Sequence, residues 1–426
     1  MNSIVLSRLK TAAALWPDIS QSPLPADRWL FHVFKTRLKN AGSNDRRLIT
    51  ETLYGLFRHR SFLEAWCEFQ KQNQSVLFKI LCAAAVEGLL DEKQFFEMLE
   101  AAKLPVSEGA AFYAALISRK LPVACDSKNF SEKLSVQYSF PEWLIQRWVL
   151  IFGENELREI LASLQQRPAF VIRTNTLKIS RHDLMGQLKL KGYDVNESGE
   201  SATAIRFEKW PHLLNDNLYR SGYLEVQDAG SQRICEIINP APGESVLDFC
   251  AGGGGKSLAL AALMKNRGKL LASDVRDWKF RELLLRARRS GVTLIRCMKM
   301  RTLLETPDFL KKFDKVIVDA PCSGSGTWRR NPDAKWRLNL DILTQHAVKQ
   351  LDILKQAADY VRPGGRLYYV TCSIDPVENE EVMTAFLKYN AAWKSVPAGG
   401  DGKVWLKLQP HRNQTDGFFL GIAEKL

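Results

Sequence analysis

Three reactive side chains stand out because each follows a short apolar run. Val316-Ile-Val leads into Asp319-Ala-Pro-Cys-Ser-Gly, and Leu367-Tyr-Tyr-Val leads into Thr371-Cys-Ser. Such runs read as strands buried on both faces of a parallel sheet. In open α/β sheets the functional crevice lies at the carboxyl ends of the strands, so Asp319, Cys322 and Cys372 are expected to share one pocket. An acid and two thiols facing a nucleotide-type cofactor is an uncommon set, and it narrows the chemistry sharply.

The cofactor expectation comes from Val246-Leu-Asp-Phe-Cys-Ala-Gly-Gly-Gly-Gly-Lys-Ser, a strand, a glycine-rich turn and a helix start. Glycines let the backbone pass close to a ligand and aim amides at it. A Walker A loop would put its first glycine at position 250, where this chain has Cys250. Lys256-Ser257 and the Val316-Ile-Val-Asp run keep a P-loop NTPase open as the alternative. A nucleoside lying across the loop instead requires an acid after the next strand, to bind ribose hydroxyls. Asp274 ends Leu270-Leu-Ala-Ser-Asp, 19 residues beyond Gly255 (274 − 255). The expected cofactor-binding residues are therefore Cys250, Ala251, Gly252, Gly253, Gly254, Gly255, Lys256, Asp274 and Asp319, with Asp248 supporting the loop from below.

The elements that must position these groups change in texture along the chain. With 426 residues, two or three domains are expected. Residues 1–135 read as an all-helical accessory domain, with apolar residues recurring at three and four in Arg28–Lys35, Leu48–Arg58, Val76–Leu89 and Lys93–Ala102. Residues 131–140 read as a connector, and Pro141 opens a helix over Glu142–Phe152. Residues 136–226 add connector helices and a small α+β unit with strands at Ala169–Asn175, Ala204–Phe207 and Tyr223–Val226. Residues 227–426 alternate strand and helix as a doubly wound, Rossmann-like α/β domain.

Lys plus Arg number 60 against 47 Asp plus Glu, a net charge of +13, which favours a polyanionic partner. Arg281, Arg286, Arg288 and Arg289 crowd one helix, and Arg329-Arg330 follow the Cys322 loop. The 8 cysteines lack metal-site or disulfide-framework spacing, so no metal is expected. No apolar run is long enough to span a bilayer, and Ala12-Ala-Ala-Leu-Trp is too short for a secretory signal. A cytoplasmic, monomeric protein without a membrane partner is expected, with an organellar leader as the alternative.

Together, Cys250-Ala-Gly-Gly-Gly-Gly-Lys, Asp319-Ala-Pro-Cys-Ser-Gly and Thr371-Cys-Ser resemble the RsmB/Sun (NSUN-type) RNA cytosine-C5 methyltransferases. Val226-Gln-Asp-Ala-Gly-Ser, Arg329-Arg-Asn-Pro-Asp-Ala-Lys-Trp, Pro376-Val-Glu-Asn-Glu and Pro410-His-Arg-Asn-Gln-Thr-Asp-Gly-Phe-Phe extend the likeness. It is strong over 227–426, moderate over 166–226, and only weakly NusB-like in the helical first part. The resemblance implies S-adenosylmethionine as cofactor and 5-methylcytosine in RNA as product, with ribosomal RNA favoured over transfer RNA. Two departures stand out. The family loop usually reads Cys-Ala-Ala-Pro-Gly-Gly-Lys-Thr, and the acid that many members carry after the third strand is missing from Cys297-Met-Lys-Met-Arg. These leave open an RNA-binding relative that has lost catalysis.

By the same resemblance Cys372 is the nucleophile that adds to cytosine C6, Cys322 assists release, and Asp319 holds the N3/N4 edge, protonated or sharing a proton there, which a dry pocket favours. Asp375, Pro376 and Glu378 are expected as N-cap, N1 and N3 of a helix whose positive end favours thiolate at Cys372. Arg329, Arg330, Lys335 and Trp336 are expected to hold phosphates and stack a base. Arg173 and Asn175 match a family position near RNA.

Overall fold

A computed structural model describes residues 2–73, 75–107, 109–126, 128–211, 213, 215–399 and 402–426. Two compact units emerge: Met1–Arg167 with Trp328–Leu338, and Pro168–Thr327 with Asn339–Leu426. The boundary near 167 places the helices expected as connectors with the helical unit, and the small α+β sheet with the Rossmann-like domain.

The first unit is helical. Val76–Val86, apolar on nearly every side, runs through its centre with Phe78, Ile80, Leu81 and Cys82 buried, and Ser75 caps it by accepting from the Phe78 amide. Ala12–Trp16 lies inside the helix Asn2–Ser20, which continues through Pro17 and buries Leu9, Ala12 and Ile19 in the core. The stretch expected as a connector is also helical, over Phe130–Tyr138. Its start is fixed by a reciprocal Asn129/Glu132 capping box, a signal that the serine-rich composition obscured.

The second unit holds two sheets. Strands β1 (Phe170–Thr174), β2 (Val195–Glu197), β3 (Ala204–Phe207) and β4 (Leu224–Val226) form an antiparallel sheet in the order β2-β3-β1-β4. The larger sheet contains β5 (Ser245–Asp248), β6 (Lys269–Asp274), β7 (Ile295–Lys299), β8 (Phe313–Asp319), β9 (Val361–Thr371), β10 (Trp393–Val396), β11 (Trp405–Leu408) and β12 (Phe418–Lys425). Its order is β10-β12-β9-β8-β5-β6-β7, with β11 on β12. Strands β5 to β9 are parallel, whereas β10 and β12 add antiparallel. The sequence pattern had not separated these last strands from the loop around them.

Alternation explains why β8 and β9 are central. Ile317, Tyr368 and Val370 enter one core cluster, while Val316, Val318, Leu367 and Tyr369 enter the cluster on the opposite face. Burial on both faces requires the near-continuous apolar runs seen in the sequence. The chain proceeds from β5 outward to β6 and β7, then returns to place β8 on the other side of β5. That reversal opens a crevice at the carboxyl ends of β5 and β8. Among the described residues, no helix is long and apolar enough to cross a membrane.

Candidate active site at the carboxyl ends of the central strands

Parallel pairing of β8 with β9 sets Asp319 opposite Val370, and the Ala320 amide continues the ladder to the Val370 carbonyl at 2.9 Å. The two strands therefore release their loops side by side, and Cys322 Sγ lies 3.4 Å from Cys372 Sγ. Below the sulfurs the loops are stitched together. The Gly326 amide donates to the Cys372 carbonyl at 2.9 Å, the Gly417 amide donates to the Gly326 carbonyl at 2.8 Å, and the Ser325 and Ser373 hydroxyls meet at 2.9 Å. The Cys322 thiol is pushed well above its usual range, first by its hydrogen bond with Cys372 and then by burial. Cys322 is therefore favoured as a thiol, and either sulfur can be the donor in this contact.

Asp319, at the end of β8, accepts from Lys256 Nζ at 2.7 Å. Burial alone would lower the lysine, but attraction to Asp319 and the hydrogen bond between them outweigh it and hold Lys256 above its ordinary value. The Asp319 side chain is 35% exposed and has an ammonium partner, in a site less dry than expected, where a proton shared with Asp319 comes from Lys256. This pairing also removes the lysine from the phosphate-binding role that a P-loop would give it.

The glycine loop follows β5. Gly252 (φ +53°) and Gly254 (φ +80°) are left-handed, and a Cβ on Gly254 would lie 2.4 Å from Leu283 Cγ, so this position needs glycine twice over. A Cβ on Gly255 would meet nothing within 4 Å, which leaves open space beside the backbone for a ligand. Ala251 is fixed by its amide on the Ser273 carbonyl at 2.9 Å. The neighbouring Cys250 thiol is raised well above its usual range by burial and is kept neutral.

Asp274 is brought to the loop as the nucleoside arrangement requires. One carboxylate oxygen accepts from the Gly252 amide and the other from the Arg276 amide, each at 2.7 Å. Burial alone would raise Asp274, but its bonds to Arg276 and Gly252 hold it below the usual carboxylate range. Asp248 accepts from the Ser257 hydroxyl at 2.6 Å, its other oxygen has no partner, and burial pushes the carboxyl up to about 7. At the end of β7, where the sequence lacks an acid, Lys299 pairs with Asp277 at 2.9 Å, bringing in a carboxylate from the turn after β6.

Several expected nucleic-acid contacts lie elsewhere. Arg173 is buried and donates to Gln227 Oε1 at 2.7 Å, and Asn175 donates to the Gly222 and Ser290 carbonyls, both at 2.7 Å. Both side chains are thus engaged within their own unit. Lys335 is also buried. Its Nζ donates to the Arg58 carbonyl at 3.1 Å and sits 4.1 Å above the Phe140 ring, and burial, with Arg58 and Arg119 nearby, drives it well below its ordinary value. Trp336 Nε1 donates to the Phe57 carbonyl at 2.7 Å. Arg329 is buried and its carbonyl accepts from Arg58 at 3.1 Å, while Arg330 is half-buried. Lys335 and Trp336 thus pack within the helical unit, where their side-chain donors are already taken by the Arg58 and Phe57 carbonyls. Charge and aromatic content cannot distinguish such packing from a phosphate contact.

The structure adds residues that the motifs did not flag. Glu225 is buried and pairs with both Arg286 and Arg289, and Arg286 Nη1 reaches the Gly253 carbonyl at 2.7 Å. The crowded basic helix Phe280–Ser290 is thereby divided, with Arg286 and Arg289 turned inward and Arg281 and Arg288 exposed. Asp375 caps as expected, accepting from the Val377 amide at 3.1 Å, but only a three-residue 3₁₀ turn, Pro376–Glu378, follows before the helix Glu380–Lys388. The helix end expected beside Cys372 is therefore absent. Glu378, freed from a capping role, turns to the Cys322 loop. Among the described residues, no group of three or more His, Cys, Asp or Glu could hold a metal ion.

Residues 235–423 match the family described as 16S rRNA methyltransferase RsmB/F, and residues 140–212 match its RsmF/B-like ferredoxin-like domain. The chain is similar to a Bacillus subtilis (strain 168) protein named probable ribosomal RNA small subunit methyltransferase B, at 30% identity over 409 residues, 89% of this chain and 91% of that one. It is also similar to the human 28S rRNA (cytosine(4447)-C(5))-methyltransferase, at 30% identity over 70% of this chain and 39% of the human one. Among solved structures, a methyltransferase homolog from Pyrococcus horikoshii shares 27% identity with a TM-score of 0.61, over 70% of this chain and 100% of that one.

Proposed function

Because the chain belongs to the RsmB/F family of ribosomal RNA methyltransferases, we propose that it methylates C5 of a cytosine in ribosomal RNA, using S-adenosylmethionine. The observation that carries this is the 3.4 Å approach of Cys322 and Cys372 beside the Lys256–Asp319 pair. The names of the Bacillus subtilis and human relatives, both ribosomal RNA methyltransferases, support the substrate class.

The open edge at Gly255, the left-handed Gly252 and the buried Asp274 carboxylate fit a nucleoside cofactor, whose sulfonium supplies an electrophilic methyl group. Cys372 Sγ adds to C6 of an unstacked cytosine, which breaks ring conjugation and makes C5 nucleophilic. Asp319 accepts from the N4 amino group and fixes the base edge. Lys256, 2.7 Å from Asp319, holds the proton that balances charge developing at N3. Cys322 assists the last step, in which the C5 proton passes to solvent water and the Cys372–C6 bond breaks, its electron pair returning to the Cys372 sulfur. The Cys322 S–H hydrogen-bonds the departing sulfur.

Incubation with tritiated S-adenosylmethionine and total RNA, followed by bisulfite mapping, tests the activity. Cys372→Ala should yield no 5-methylcytosine, and Cys322→Ala should accumulate a protein–RNA adduct that survives a denaturing gel. Normal turnover by Cys322→Ala, with trapping by Cys372→Ala, would reverse the two roles. RNA binding without methyl transfer in saturating cofactor would make the protein a non-catalytic relative.

A further inference from the structure

We propose that Glu378 and Asn379 act together as a clamp that sets the distance between the two reactive sulfurs, as positioning residues rather than catalytic ones. The Glu378 side chain is fully buried. Its carboxylate accepts from the Ser323 amide at 2.8 Å, from the Ser323 hydroxyl and from Gln350 Nε2 at 3.0 Å. Gln350 Nε2 also donates to the Pro321 carbonyl at 2.9 Å. Pro321 and Ser323 are the two neighbours of Cys322. Asn379 does the same for Cys372: its Oδ1 accepts from the Thr371 hydroxyl, and its Nδ2 donates to the Ser373 carbonyl at 2.9 Å.

Two consecutive residues, with Gln350 as the link from Glu378 to Pro321, thus hold the chain on both sides of both cysteines. Consecutive Cα atoms stand at a fixed separation of about 3.8 Å, so the loops cannot drift apart without breaking buried hydrogen bonds, of which those to the Glu378 carboxylate are charge-assisted. The Tyr369 hydroxyl donates to the Glu378 carbonyl, anchoring the clamp to β9 itself. The arrangement explains why Glu378 lacks the capping partner its sequence position suggests. These bonds go to the neighbours of Cys322 and Cys372, so the clamp acts on loop geometry, and the Glu378 charge adds a smaller upward push on the Cys322 thiol.

The inference rests on the methyl-transfer proposal only for its kinetic arm. In that arm, Glu378→Gln turns a carboxylate that accepts three bonds into an amide with two donors facing the donors of Ser323 and Gln350. Turnover should fall about 100-fold, as expected for a reacting group displaced by roughly 1 Å, with KM for RNA and cofactor unchanged. The second arm needs no substrate. Diamide takes two electrons and two protons from a thiol pair, becoming the hydrazine and leaving a disulfide, and peptide mapping reports the Cys322–Cys372 bond. That bond should close about 10-fold more slowly in Glu378→Gln, because disulfide formation demands close, aligned sulfurs. Folded Glu378→Gln that closes the disulfide at the wild-type rate overturns the clamp. Slower closure in the variant upholds it even if the wild-type protein fails to methylate RNA, an outcome that would reject only the proposed activity. Should Glu378→Gln not fold, Ser323→Ala, which removes one hydroxyl donor, must still slow closure measurably. A wild-type rate there overturns the clamp as well.

Discussion

Gly326 is where the smallest change should disturb the site most. A Cβ at this position would lie 2.3 Å from the Gly417 carbonyl oxygen and 2.6 Å from its carbonyl carbon and Cα. All three are backbone atoms, so no side chain can swing away. Restoring ordinary contact requires Gly326→Ala to move the Cys322 loop by about 1 Å, in an interior packed as densely as a crystal. Overpacking of this kind costs about 1–3 kcal/mol. Loss of the 2.8 Å bond from the Gly417 amide to the Gly326 carbonyl adds about 1 kcal/mol. Together they should lower the melting temperature of the second unit by about 5–15 °C. The Gly326 amide also holds the Cys372 carbonyl, so turnover at a temperature where the variant is folded should fall about 100-fold. Calorimetry and single-turnover methylation measure the two effects. A variant that melts and turns over like wild type would refute the idea that this glycine pair sets the loop.

Three further outcomes are expected. Asp248, raised to about 7 from an ordinary value of 3.8, binds more protons folded than unfolded between those limits, so its contribution to stability falls as pH rises through that window and is flat above it. Asp248→Asn should remove that slope from a plot of melting temperature against pH; an unchanged slope would contradict the assignment. Lys335→Met, which removes a buried lysine held well below its ordinary value, should keep or raise stability and leave the salt dependence of RNA binding unchanged. A slope reduced by about one unit would show a lost phosphate contact. Asp274→Asn should weaken cofactor binding at least about 10-fold through the lost charge-assisted bonds, with RNA affinity unaffected, as calorimetric titration would show.

The sequence by itself determined the doubly wound core, because strands buried on both faces need unbroken apolar runs and the helices between them need a 3.6-residue period. It also placed Asp274, Asp319, Cys322 and Cys372 at strand ends, because residues that follow such runs emerge where the crevice must be. It could not show β12 against β9, since antiparallel edge strands carry no motif of their own and their partner lies far away in sequence. Only the tertiary structure decided which charges are free. Lys335 is buried on the Arg58 carbonyl, Arg286 is turned onto Glu225, and Lys256 is committed to Asp319, although each is just another basic residue in the sequence. The same holds for Glu378: composition and spacing assigned it to the end of a helix, whereas folding gave its carboxylate three donors around Cys322. Local pattern governs where a backbone goes, but the partner of a buried charge is chosen by whatever distant chain fills the space beside it.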